Sequence, residues 1–453
     1  MKNGLLIWIE VAGKQMAGDL AINDSLAFRA NAAEPTVRPV EPTGPTSPIG
    51  AQSIEFQDRP KPAQNLKYLE GLRGLAAIVV TLQHVYFHTL WGTNLTGWQA
   101  KFVIVLGWLF PGRSAVALFI VLSGYLLMRP VVREGAGQIP GGTWAYIRRR
   151  AKRILPPYYA SLAFSIALIL LIPPLRGPLS PEWVDAGPAF GNKNPALGAQ
   201  DLAAHLLLVH NLSWNWASKI DPPMWTIATE WQIYFLFPLI LLPVWRRLGS
   251  AGCIAVGLGI GLGFYFLTGK GHAAAPWLLG LFAMGAAAAA PPRDLPHRSA
   301  QMIGWLAAIL LAISTVITFE CAFGMLRFLT VDGIPGLWPY LWAFDIIVGA
   351  SSACFLVFAA ASKASDQPHF LVRWLSSRWL VHVGVASYSL YLIHDPILAV
   401  LKLGLDRMQL GPWTQFGAML TVGGMIVGVA TWLFHIIFER PFMTAARVRA
   451  SES

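Results

Sequence analysis

Residues Met408–Phe438 read MQLGPWTQFGAMLTVGGMIVGVATWLFHIIF, 31 positions without an Asp, Glu, Lys or Arg. A helix that crosses the hydrocarbon core of a bilayer needs about 20 predominantly apolar residues at 1.5 Å each, so this stretch is long enough to cross. Six further segments lack the same four residue types: Gly74–Ala100, Ile154–Leu175, Leu248–Gly269, Gly271–Pro292, Ser299–Phe319 and Ile346–Ser362. Three more contain or abut an ionisable residue: Ser114–Met128, Met224–Trp245 around Glu230, and Trp379–Leu401 around His394 and Asp395. The expected fold class is all-α integral membrane, a bundle of about ten transmembrane helices. Leu202–Asn211 is too short to cross and is expected in or near the interface.

Composition agrees. Of 453 residues 55% are hydrophobic and only 13% charged, about half the charged share of a soluble domain. That excludes a disordered chain and an ordinary soluble enzyme. The net charge of +11 invites a nucleic-acid reading, but its distribution argues otherwise. With the N-terminus placed in the cytoplasm, 21 Lys and Arg fall on inner loops and 9 on outer ones, as the positive-inside rule requires. Both termini are then cytoplasmic and the protein is expected as a multi-pass protein of the cell (inner) membrane, in contact with membrane lipids and not with nucleic acid.

The first 65 residues differ. Glu34–Gln64 carries seven prolines and no apolar periodicity, so residues 1–65 are expected to form a disordered cytoplasmic tail. The apolar run Leu5–Ile9 is too short for a signal-peptide core. Residues 66–442 form the membrane domain in this reading and 443–453 a short cytoplasmic tail. Cys253, Cys321 and Cys354 all sit in apolar runs, without the spacing of a metal or disulfide framework. No metal site is expected.

Ionisable groups inside spans are costly and by default mark function. His84 lies 13 residues beyond Gly71, with His88 one turn further; Glu230 precedes Trp245 by 15 residues, and His394-Asp395-Pro396 lies at a similar distance from Leu380. Measured from the inner ends of their spans, these groups are expected to share one level, with Asp345 as a further member. Arg73 and His84 are 11 positions apart, close to three helical turns and roughly 16 Å of rise. Both therefore point from one helix face, a cation at the cytoplasmic mouth and an imidazole deeper in. In Tyr146–Arg153 (YIRRRAKR), Arg150 and Arg153 also share a face. They can grip phosphates or simply anchor the span among headgroups.

The ordered motifs resemble those of the bacterial membrane acyltransferase 3 family, from about Leu66 to Pro441. Tyr68-Leu69-Glu70-Gly71-Leu72-Arg73-Gly74 ending at His84 is similar to the family's Arg-x10-His signature. Phe119–Tyr125 (FIVLSGY) resembles its Ser-Gly motif, and Arg150-Ala151-Lys152-Arg153 its Arg-x-x-Arg. Trp225–Glu230 (WTIATE) followed by Tyr234–Pro238, then Ser387–His394 (SYSLYLIH) and Glu439-Arg440-Pro441, resemble its later spans. Thr226 stands where the family frequently has Ser.

The resemblance implies O-acylation of a cell-envelope or exported saccharide, or of a glycolipid. The co-substrate implied is acyl-CoA, acetyl-CoA by expectation, with no permanently bound cofactor. It makes His84 catalytic, as general base or acyl relay, with Arg73, Arg150 and Arg153 beside the donor. Glu230 or Asp395 is expected to orient the imidazole, with His394 in the same group. The hydrolase-like domain fused to some members of the family is not expected here, so this polypeptide is expected to finish the transfer or to hand the acyl group to a partner. Two rivals use the same residues differently. A proton-coupled transporter or flippase of a glycolipid or saccharide would relay protons through the Glu, Asp and His groups, and a membrane sensor would depend on the N-terminal tail.

Overall fold

The computed structural model describes residues 67–91, 93, 95–133, 137–172, 197–268, 273–291, 295–323, 340–365 and 367–443. Residues 1–65, expected as a disordered tail, and 444–453 lie outside them, as does the side chain of Cys321. Every regular element among the described residues is helical. The chain opens with α1 (Lys67–Thr89), α2 (Gly97–Leu109), α3 (Gly112–Arg133) and α4 (Gly142–Leu171). The short α5 (Ala199–Leu206) and a single turn His210–Leu212 follow. Then come α6 (Trp225–Leu236), α7 (Leu242–Thr268), α8 (Leu278–Ala288), α9 (His297–Phe323) and α10 (Leu341–Ala364). The short α11 (Phe370–Leu375) and α12 (Arg378–Val385) precede α13 (Ser387–Arg407), α14 (Pro412–Ala418) and α15 (Gly424–Phe434).

Seven stretches are long and apolar enough to cross a membrane: Gly97–Arg133, Gly142–Leu171, Pro222–Thr268, His297–Thr318, Leu341–Ala364, Ser387–Arg407 and Pro412–Phe442. The difference from the ten charge-poor runs has physical causes. Pro222–Thr268 is 47 residues long and includes Gly249 at φ 68, ψ −166, a left-handed turn that separates two helical arms. Glycine adopts it without the Cβ clash of other residues. The run Gly271–Pro292 supplies only the 11-residue α8. Meanwhile α1 carries Glu70, Arg73, Gln83, His84 and His88, which dilute its apolar character. The expected interfacial piece around Leu202–Asn211 is α5 and the turn after it.

Bare backbone sets the closest helix contacts. A Cβ on Gly384 of α12 would stand 1.8 Å from the Glu70 carbonyl oxygen of α1, and one on Gly124 of α3 would stand 2.0 Å from that of Phe282 in α8. Small residues let helices approach this closely where lipid supplies no hydrophobic drive to association. Gly384→Ala must therefore push α12 away from the helix that carries Arg73 and His84. Overpacking of this kind costs about 1–3 kcal/mol, and a lowered unfolding temperature in detergent is the expected readout.

Prolines within the helices leave carbonyls to be satisfied elsewhere. Pro396 lies inside α13 and has no N–H for Leu392 O one turn back; Ser161 Oγ of α4 donates to that oxygen at 2.7 Å. The bond ties α4 to α13 beside His394 and Asp395. At Pro238 the helix loosens into a π-turn, Phe237–Leu241, a device that often accompanies functional sites.

Candidate functional site

Helical periodicity on α1 stacks His84 and His88 one turn apart, facing His394 and Asp395 of α13. His88 Nε2 donates to Asp395 Oδ1 at 2.9 Å. His84 Nδ1 lies 3.6 Å from the same oxygen, within ion-pair range but long for a hydrogen bond. The rings of His84 and His394 are 4.8 Å apart, centre to centre. His394 Nδ1 donates to the Tyr391 carbonyl at 2.9 Å, with the Leu390 carbonyl at 3.1 Å; this leaves Nε2 as its lone-pair nitrogen. The side chain of His84 is 11% exposed and those of His88 and Asp395 fully buried. His84 is thus the histidine of this cluster that an approaching molecule can reach.

A cavity of about 540 Å³, mouth included, lies beside the cluster, lined by Arg73 of α1, Phe119 and Ser123 of α3, Thr226 and Glu230 of α6, and Tyr388 and Tyr391 of α13, among others. Arg73 Nε and Ser387 Oγ, both buried lining atoms, have no hydrogen-bond partner among the described residues. Tyr391 joins cavity to cluster. Its hydroxyl donates to the Pro223 carbonyl at 2.9 Å and lies 2.7 Å from Thr226 Oγ1. Its ring centre is 5.8 Å from that of His394.

The shared level expected for the ionisable groups divides in two. His84, His394 and Asp395 come together, as expected. Glu230 does not join them: its carboxylate accepts from Ser123 Oγ and Tyr234 OH and belongs to the cavity. Of the two carboxylates, Asp395 is the one near His84, 3.6 Å from its Nδ1. Asp345 is elsewhere too, held by Arg113 through two bonds of 3.0 and 2.6 Å and by Trp277 Nε1 at 2.7 Å. Arg150 is half-buried, and its Nε has no partner among the described residues. Arg153 is half-buried one turn along α4. Neither arginine lines the cavity itself.

Several participants lay outside the sequence reading. His88 was visible as a second histidine at i+4 on α1, yet nothing in the sequence showed that it, rather than His84, hydrogen-bonds Asp395. Glu439 accepts from Ser389 Oγ at 2.6 Å and pairs with His435 Nδ1 at 2.9 Å, which locks the Glu-Arg-Pro motif to α13. Asp221 is 1% exposed, with Ser165 Oγ 3.5 Å from its Oδ2. Burial and the Asp395 carboxylate raise it well above the usual carboxylate range. Beyond it, His205 and His210 stack with ring centres 4.1 Å apart. Burial pushes His205 down to about 4 and His210 well below the usual imidazole value, so both are neutral near pH 7.

The structure thus holds two neighbouring parts, a cavity lined by Arg73 and Glu230 among others and a buried histidine–aspartate cluster. O-acetyltransferase OatA of Staphylococcus aureus is 26% identical over 348 residues, 73% of this chain and 51% of the relative. Peptidoglycan O-acetyltransferase OatA of Listeria monocytogenes is 21% identical over 369 residues, 76% of this chain and 51% of the relative. The chain spans about half the length of these curated relatives. No solved structure matches it. The family model described as an acyltransferase domain matches residues 66–435, essentially the whole helical part, and the chain belongs to that acyltransferase family.

Proposed function

We propose that this protein is a membrane O-acyltransferase that moves an acetyl group from acetyl-CoA to a hydroxyl of a cell-envelope saccharide. The relatives' names carry the acetyl group and the saccharide class; the donor is inferred from the family resemblance and from Arg73 in the cavity lining. In this reading ten spans cross the cell (inner) membrane with both termini cytoplasmic: the seven apolar stretches with the two arms of Pro222–Thr268 counted separately, α1, and the run around α8. Arg73 binds donor phosphate at the mouth, assisted by Arg150 and Arg153, whose guanidinium groups suit that geometry. The acceptor reaches His84 from the other side.

His84 takes the acceptor's hydroxyl proton as that oxygen attacks the thioester carbonyl. The carbon–sulfur bond then breaks, and the imidazolium returns the proton to the departing thiolate, giving an ester and free CoA thiol. Asp395, fixed by His88, stabilises the imidazolium while it exists, as the acid does in a catalytic triad. One observation carries this reading. The accessible imidazole, 3.6 Å from a buried carboxylate, shares a helix face with Arg73, which lines the cavity.

The test is incubation of the purified full chain with radiolabelled acetyl-CoA and a panel of envelope saccharides. Label on the saccharide is the expected result. Saccharide that crosses a proteoliposome membrane unmodified would instead establish a transporter. Arg73→Ala should raise the KM for acetyl-CoA about tenfold or more, since hydrogen bonds to charged groups are worth about 1.5–3 kcal/mol. With the imidazole intact, kcat should change little, and steady-state kinetics at varied donor concentration separates the two effects.

A further inference from the structure

Tyr391, a lining residue of the cavity, is in ring contact with the histidine cluster, and Phe119 packs against it. Phe119 and Tyr391 both line the cavity, edge to face with centres 6.2 Å apart. Tyr391 cannot swing freely, because its hydroxyl is held by Pro223 O and Thr226 Oγ1 at 2.9 and 2.7 Å. The ring centres of Tyr391 and His394 are 5.8 Å apart and those of His394 and His84 4.8 Å apart. The cavity lining itself stops short of both histidines. A thioester brought up to His84 must therefore place the carbons beyond its carbonyl among the rings of Tyr391, His394 and His84. These rings are anchored, two of them through hydrogen bonds to backbone carbonyls.

We propose that Tyr391, braced by Phe119, sets the acyl length the site accepts and restricts the donor to short groups such as acetyl or propionyl. The inference rests on the acyltransferase reading and adds the selectivity determinant to it. Closely packed aromatic walls discriminate by size: one methylene too many in a shaped apolar pocket costs about 10–200-fold in kcat/KM. The role assigned to Tyr391 is that of a wall, distinct from proton transfer. What matters is its ring, and the hydroxyl matters only because it fixes the ring's position.

The experiment is a competition between acetyl-CoA and butyryl-CoA with the purified full chain, read as the ratio of the two kcat/KM values. Wild-type protein should favour acetyl strongly. Tyr391→Ala should shift the ratio toward butyryl by about tenfold or more, and Phe119→Ala should shift it in the same direction. Tyr391→Phe, which retains the ring, should stay nearer the wild-type ratio than Tyr391→Ala. If Tyr391→Ala does not accumulate in the membrane, Phe119→Leu carries the same test. Alanine variants that transfer acetyl with the wild-type ratio overturn the proposal, as does a wild-type enzyme indifferent to chain length. A wild-type protein that transfers no acyl group from any donor overturns the acyltransferase reading itself, a result distinguishable because no ratio exists to compare.

Discussion

His84→Ala should lower acyl transfer by about 10²–10⁴-fold, the usual contribution of a positioned general base, with the protein still present in the membrane. The neighbouring histidines are poorly placed to substitute. His88 Nε2 is committed to Asp395 at 2.9 Å and its side chain is fully buried. His394 has its Nδ1 tied to backbone carbonyls, which fixes its ring one helix away from the α1 face that carries Arg73. The loss should appear in kcat while donor binding persists, because Arg73 and the cavity lining stay in place. Rates per mole of protein at saturating acetyl-CoA, compared with those of Arg73→Ala, distinguish a chemical defect from a binding defect. A His84→Ala variant of undiminished rate would remove the imidazole from the mechanism.

Arg113→Met should produce the largest loss of stability. Asp345 is 2% exposed at its side chain and Arg113 27%, so the pair is mostly shielded from water. Removing the cation leaves a buried carboxylate with Trp277 Nε1 as its remaining donor at 2.7 Å. Breaking one side of such a pair costs about 3–5 kcal/mol, whereas replacing both sides by apolar groups of similar size is often neutral. The double variant Arg113→Met/Asp345→Leu should therefore recover most of the stability lost by Arg113→Met alone. Thermal unfolding in one detergent, arranged as a double-mutant cycle, checks this. Equal losses in the single and double variants would show that the pair is not the source.

The membrane character and a set of candidate site residues were legible because lipid imposes strong constraints. Runs free of Asp, Glu, Lys and Arg mark helices, and a histidine or carboxylate that survives inside one marks a site. Thus His84, His394 and Asp395 stood out as ionisable groups inside apolar runs, and Arg73 through its spacing from His84 together with the family motif. What the sequence could not show was lateral placement. Glu230 and Asp345 sit at depths that look shared, but depth does not reveal which neighbour a side chain faces. Their real partners, Tyr234 and Ser123 in one case and Arg113 and Trp277 in the other, lie on the same or other helices at positions no one-dimensional pattern connects. The charge-free run Gly271–Pro292 likewise read as a full-length helix, whereas its helix α8 has 11 residues, nearly all buried; apolar length does not distinguish a helix facing lipid from one enclosed by protein. Tyr391 was hidden for a different reason: within Ser387–His394 it reads as one more aromatic on an apolar helix, and its position in the cavity lining depends on Thr226 and Pro223, more than 160 residues away.

The most direct measurement uses proteoliposomes holding the purified full chain, with labelled acetyl-CoA on the face that bears the arginines and a saccharide acceptor on the opposite face. Wild-type protein should deposit label on the acceptor as an ester, and His84→Ala liposomes with equal protein should deposit almost none. Equal labelling by the two, or acceptor recovered intact on the donor's side, would contradict transfer at the buried histidine–aspartate cluster.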